Sequence, residues 1–264
     1  MTTPIEVDGA IGEGGGQVLR SALSLSLLTG QCFRLSRIRA NRDRPGLRPQ
    51  HLAAVQAAAR VSGAEVRGDG VGSEEIELAL GPVRSGDYFF DIGTAGATTL
   101  VLQTLPLALA PGTSSVAIRG GTHVPRSPCF HYLDWQWRPF LARIGVPFDL
   151  TMAMAGFYPQ GGGELQARMP GCSRPMPVRL IERGPLRAVR GLSAVANLPR
   201  DLEDDLEHLF RSLRKDPPCP MITPARCRKC GFRFDDHKLH KPSKCPRCKG
   251  TWISEPLISL VEKR

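Results

Sequence analysis

Two stretches of the sequence open alike and continue alike: "IGEGGGQVLRSALSLSLLTG" from Ile11 and "IGTAGATTLVLQTLPLALAP" from Ile92. Each begins with Ile-Gly and a turn of small residues, then runs for about 16 residues with apolar positions at helical spacing. The strand-like segments "FRLSRIRA" and "SSVAIRGG" follow, and Ile38-Arg39 and Ile118-Arg119 keep nearly the same offset from the two helices. The match continues in "RPGLRPQHLAAVQAAARVSGAEVRG", with a helix from about Pro49, and in "VPRSPCFHYLDWQWRPFLARIGVPFDL". Both read as loop, helix, glycine stop and strand. A unit of about 80 residues used twice must fold alike each time. The chain is therefore expected to be α/β, with two copies of strand, glycine turn, helix, strand, helix, strand, and helices on one or both sheet faces. A third copy is expected to begin at "GFYPQGGGELQARM" and to remain unfinished after the strand-like "MPVRLIERGPLRAVRGLSAVANLP".

Charge divides the chain at the end of that stretch. Residues 1–199 hold 20 Arg and no Lys, and the first lysine is Lys215. The net charge is +10 overall; from Asp216 to Arg264 there are 11 Lys+Arg against 5 Asp+Glu, a surplus of +6. A basic balance favours polyanions, nucleic acid first, or else marks a solvated surface. The change of cation usage points either to parts that do different physical work or to a junction between parts of different history, as in a gene fusion. The longest apolar run, "TTLVLQTLPLALAP", is too short to span a bilayer, and "MTTPIEVDGAIGEGGG" has no signal-peptide pattern, so no membrane partner and a cytoplasmic location are expected.

The glycine turn "GEGGGQVLR" sets Gly12, Gly14, Gly15 and Gly16 at a helix entry, where free N–H donors and the dipole suit a phosphate. A plain tight turn reads equally well. Nearby stand Arg20, then Arg37, Arg39, Arg42, Arg44 and Arg48, then Gln50 and His51. Guanidinium forks match phosphate oxygens, so these residues make either an oxyanion pocket or a solvated basic loop. His51, at a helix start, is a pocket residue, a cap or a surface histidine. Cys32, Cys129 and Cys172 are scattered and read as buried or incidental thiols.

The stretches "GEGGGQVLRSALSLSLLTG", "RIRANRDRPGLRPQHLAAVQAAA", "GDYFFDIGTAGATTLVLQTLPLALA", "GGTHVPRSP" and "GFYPQGGGE" together resemble the RNA 3'-terminal phosphate cyclase family, from residue 5 to about 199. The resemblance implies an AMP-forming ligase that uses ATP to convert an RNA 3'-phosphate into a 2',3'-cyclic phosphate. It implies that Arg20, Arg39, Arg42 and His51 form the phosphate pocket. Glu13, Gln17, Gln50 and Gln103 would serve substrate and nucleotide, with a divalent metal such as Mg or Mn near Glu13. In such enzymes a histidine near the C-terminus first takes AMP as a phosphoramidate. This sequence leaves the family pattern at about Pro199, before that segment, so impaired turnover is expected.

Beyond Pro199 the reading changes. "RDLEDDLEHLFRSLRK" has apolar residues at helical spacing, acids first and cations last, which predicts a linking helix within 200–217. Residues 218–264 carry Cys227, Cys230, Cys245 and Cys248 as two CxxC pairs, the donor set of a closed structural zinc site. This tail resembles the zinc ribbon of prokaryotic, archaeal-type transcriptional regulators, which implies contact of its basic side chains with DNA or RNA. The expected domains are thus 1–199, cyclase-like; 200–217, linking helix; and 218–264, zinc ribbon. The alternative to an enzyme is a non-catalytic regulatory fusion that binds RNA ends or DNA.

Overall fold

The computed structural model describes residues 3–172, 175–182 and 185, together with short strands at 225–227, 233–234 and 252–254. The chain divides into two units, Met1–Arg179 and Leu180–Arg264. The first unit opens with β1 (Ile5–Asp8), α1 (Gly16–Thr29), β2 (Phe33–Ser36), α2 (Pro49–Ser62), β3 (Glu65–Arg67) and β4 (Ile76–Ala79). It continues with β5 (Asp87–Asp91), α3 (Thr98–Leu102), α4 (Pro106–Leu109), β6 (Thr113–Gly120), α5 (Phe130–Tyr132), a π-helical segment (Leu133–Trp137), α6 (Arg138–Arg143), β7 (Asp149–Met154) and β8 (Gly163–Pro170).

The strands form two four-stranded sheets, ordered β1-β2-β4-β3 and β5-β6-β8-β7. In each, the first pair is parallel and the other two pairs are antiparallel. The sequence led us to expect three strands per unit; each sheet has four. The extra strand in the first is β4, whose Ile76 and Leu78 are buried on one face. In the second it is β8, the segment expected to begin a third unit. There Leu165, Ala167 and Met169 alternate with exposed neighbours, and β8 pairs with β6 and β7 at once. That alternation is the mark of a half-buried antiparallel strand, so the segment completes the second sheet.

Two further expectations change. The strand after α1 ends at Ser36, because Arg37 and Arg39 take left-handed backbone angles, φ 51° and 56°. The long helix expected after Ile92 is split into α3 and α4. Pro106 has no amide hydrogen and its ring crowds the carbonyl four residues back. Thr104 and Leu105 instead donate to the carbonyls three residues back, at 3.1 and 3.0 Å. Pro139 removes one further helical donor, next to the π-helical turn.

Helix α2 begins at Pro49 as expected, and Gly63 stops it in the left-handed conformation, φ 61°. Ala53, Ala54, Val55, Ala57, Ala58 and Val61 are all buried, so α2 is enclosed on several sides and not along one stripe. Its alanines allow close approach by α1 and α3. One continuous apolar cluster joins the sheets and helices, from Leu23, Leu35 and Val55 to Val101, Ile118 and Leu150.

In the second unit β9 (Ala225–Cys227), β10 (Arg233–Phe234) and β11 (Trp252–Ser254) form a three-stranded antiparallel sheet ordered β10-β9-β11. The expected helix within 200–217 and the cysteines at 230, 245 and 248 lie outside the described residues. Residues 176–182 are described and are not in a strand. No helix of the described residues is long and apolar enough to cross a membrane.

Candidate functional site

The N-terminus of α1 meets the N-terminus of α2. Gly15 caps α1 without a side-chain hydrogen bond, and the first turn of α1 has no acid. Gly16 lies so close to His51 that a Cβ there would stand 2.2 Å from the imidazole Nε2 and 3.2 Å from Arg20 Nη1. Glycine is required here by space, since the backbone itself forms one wall against the histidine.

His51 is the third residue of α2 and only 5% exposed. The Arg48 N–H donates to its Nδ1 at 3.2 Å, so the side chain caps its own helix. An arginine side chain has no acceptor with which to return the bond. With Nδ1 accepting, the neutral ring carries its proton on Nε2, facing Gly16 and Arg20. Burial first, then the charges of Arg39, Arg20 and Arg48, push the His51 pKa down to about 3. The ring is neutral at physiological pH, and its Nδ1 serves as a cap of α2.

Arg39 is fixed by two backbone carbonyls, donating from Nη1 to Arg44 O at 2.6 Å and Gly46 O at 3.0 Å. Burial, then Arg48 and Arg42, lower its pKa; burial alone lowers that of Arg20. Both remain charged at working pH. Arg42 pairs with Glu13 at 3.1 Å, and Arg37 with Asp8. Among the described residues, Arg20, Arg39 and Arg48 pair with no carboxylate. Three guanidiniums thus converge on a neutral imidazole with no counter-charge, at an open helix N-terminus.

Arg20 also lines a cleft of about 830 Å³ between α1, α3 and the segment from Arg126 to Trp137. Arg20 donates to Gln17 Oε1 at 2.8 Å, and Gln17 donates to Ser21 at 3.2 Å. Gln103 stands across the cleft, with Leu25, Leu28, Leu100 and Leu107 as apolar walls. The structure therefore gathers Gln17, Arg20 and Gln103 on one cleft and Arg39, Arg42 and His51 at its α1 end. Glu13 is 90% exposed at its side chain. Gln50 is turned away to the second sheet's helix, where its Oε1 accepts from the Ala97 N–H at 3.0 Å and caps α3.

A family model described as RNA 3'-terminal phosphate cyclase matches residues 11–246. The chain belongs to the RNA 3'-terminal phosphate cyclase family. The match runs past Pro199, where the motif resemblance was expected to end. Among curated relatives named RNA 3'-terminal phosphate cyclase, one from Ralstonia nicotianae is 54% identical over 74% of this chain and 57% of its own length. One from Nostoc punctiforme is 45% identical over 80% of this chain and 64% of its own. One from Methylococcus capsulatus is 43% identical over 87% of this chain and 68% of its own. The chain thus spans between 57% and 68% of the length of these three relatives.

Sequence reasoning missed the far wall of the cleft in this cyclase-family chain. Arg126, Pro128, Tyr132 and Trp137 line it. Arg126 has a left-handed backbone, φ 60°, and Thr99 Oγ1 holds the Pro128 carbonyl at 2.7 Å. The prolines around Arg126 in "GGTHVPRSP" were a signal for a fixed loop, but nothing in the local sequence says that it faces α1.

Gly16→Ala tests the close approach of the two helix ends. The added methyl has to displace His51 and Arg20, at a cost of ~1–3 kcal/mol in stability. A melting temperature unchanged from the parent would show that the approach is not as tight as described.

Proposed function

We propose that this chain binds the 3'-phosphate end of RNA among Arg20, Arg39, Arg48 and His51, with ATP in the adjoining cleft, as part of the ATP-dependent conversion of that end to a 2',3'-cyclic phosphate. The observation that carries the reading is the uncompensated guanidinium cluster around a neutral, buried His51 at the open N-terminus of α1. A phosphate supplies the missing counter-charge, the arginines hold its oxygens in fork geometry, and the His51 Nε2–H donates to one of them. The names of the relatives point to the same substrate.

The cleft suits an adenine nucleotide in size and in lining, with leucine walls for a base and amides of Gln17 and Gln103 for its polar edge. Glu13 is a single carboxylate already paired with Arg42, so a divalent ion fits here as a companion of the triphosphate and not in a protein cage. Among the described residues, His51 caps α2, and His123 and His131 face each other. The covalent step implied by the family resemblance needs a histidine beyond these.

In the tail we propose a structural zinc held by Cys227, Cys230, Cys245 and Cys248. Four thiols in two CxxC pairs fit a tetrahedral zinc chemically, and Cys227 ends the central strand of a three-stranded antiparallel sheet. Its basic neighbours support contact with nucleic acid phosphates.

The test is purified full chain with ATP labelled on the α-phosphate and RNA ending in a 3'-phosphate or a 3'-hydroxyl. Tighter binding of the 3'-phosphate RNA is the expected result. Equal binding of the two RNAs would sink the proposal. Covalent label on the protein would call for a nucleophile outside the described residues.

A further inference from the structure

The chain around Arg126, Pro128 and Tyr132 of the cleft also carries a cluster that the cyclase reading leaves unused. His123, Cys129 and His131 bring one ligand atom each to within 4.8 Å of one another, and all three side chains are partly buried. From this geometry we propose that His123, Cys129 and His131 bind a zinc-class divalent ion, at a second metal site separate from the cysteine-rich tail.

Three observations support the proposal. The first is spacing. His123 Nε2 and His131 Nδ1 stand 3.1 Å apart. Zinc–nitrogen bonds of about 2.0–2.1 Å in a tetrahedron place two nitrogens ~3.3 Å apart, so the rings need almost no movement. The thiol has at most ~1.3 Å to close to reach the corresponding nitrogen–sulfur spacing.

The second is the outer contact of His123. Its Nδ1 lies 2.8 Å from Thr122 Oγ1, which accepts from the Gly156 N–H at 2.8 Å and donates to the Gly156 carbonyl at 3.3 Å. In the tautomer that leaves the hydroxyl proton on that carbonyl, His123 Nδ1–H donates to the oxygen. The lone pair on Nε2 then points at the cluster. A ligating histidine held through its other nitrogen is the usual arrangement at metal centres.

The third is rigidity. The Phe130 N–H donates to the Thr122 carbonyl at 3.0 Å, closing the segment so that Cys129 and His131 return over His123. Phe157 stacks on the His123 ring at 4.9 Å, and Trp135 meets the His131 ring edge at 5.3 Å. Both imidazole planes are set before any ion arrives.

Two imidazoles and a thiolate select zinc or a similar borderline metal over magnesium or calcium. On binding, the S–H bond of Cys129 breaks, its proton passes to solvent and the metal–sulfur bond forms. Three protein ligands leave a fourth position for water. The ligands interleave in sequence with Arg126, Pro128 and Tyr132 of the cleft, so the ion would pin that wall.

The experiment uses full chain stripped of metal and titrated with Zn²⁺, and with Co²⁺ for its spectrum. The wild type is expected to bind one equivalent more than each of Cys129→Ser, His123→Gln and His131→Gln, with binding by the tail unchanged. His131→Asp, which keeps a ligand atom, is expected to retain that equivalent at lower affinity and with an altered cobalt spectrum. In wild-type protein, Zn²⁺ should slow alkylation of Cys129 by ~10-fold or more, because a bound thiolate is a poor nucleophile, and should leave Cys172 unaffected. The same stoichiometry in all four chains overturns the site. So does loss of metal in Cys129→Ser alone, or a Cys129 that Zn²⁺ fails to protect; this last reading needs no variant to fold.

Discussion

Replacing Arg39 with alanine is expected to weaken binding of RNA ending in a 3'-phosphate by ~10–100-fold, the value of one charge-assisted hydrogen bond of about 1.5–3 kcal/mol. Binding of the same RNA ending in a 3'-hydroxyl should change far less. The comparison matters because Arg39 also ties down its own loop through the Arg44 and Gly46 carbonyls. A loosened loop affects both ligands, whereas a lost phosphate contact affects one. Arg34→Ala is the control, since Arg34 is an exposed partner of Glu75 on the first sheet. The idea fails if Arg39→Ala lowers the two affinities equally, or if Arg34→Ala matches its effect.

The second large effect lies in the pH dependence of stability. His51 is neutral in the folded chain down to about pH 3, whereas an unfolded histidine takes its proton near pH 6.5. Between those values the unfolded state binds more protons, so stability rises with pH. The contribution is complete above about pH 6.5 and is lost as the pH falls toward 3, at up to about 1.4 kcal/mol per pH unit. His51→Asn keeps an acceptor for the Arg48 N–H but cannot titrate. The difference in unfolding free energy between wild type and His51→Asn should therefore shrink, and then reverse in favour of the variant, on acidification from pH 7 to pH 4. Parallel stability curves for the two chains across that range would count against a buried neutral His51. A bound phosphate adds a counter-charge to the three arginines, so it should flatten the wild-type slope.

Part of the site is legible in the amino-acid sequence. The cluster of arginines from Arg37 to Arg48, the glycines before Gln17 and the histidine at the start of α2 stand close in sequence, and they stand close in space. Gln103 is legible only through family resemblance, and the structure sets it across the cleft from Gln17 and Arg20. Gln50 carries the same expectation, but it caps α3. The side chain at a helix start serves whichever unpaired N–H its tertiary neighbour presents, and sequence does not name that neighbour. Cys129 reads as an incidental thiol for a similar reason. Its partners His123 and His131 are near in sequence, but only the return of the chain through the Phe130–Thr122 hydrogen bond turns all three inward.

The sequence by itself determined the alternation of helices and strands in two like stretches, the start and stop of α2, and the concentration of cations at one turn. Those features are local: periodicity, proline, glycine and charge act over a few residues. The tertiary structure alone decided the fourth strand of each sheet and the meeting of Gly16 with His51, where an added methyl would have to displace the ring. Pairing partners and close approaches depend on elements far apart in the chain, and a strand such as β8 is recognisable only once β6 and β7 stand on either side of it.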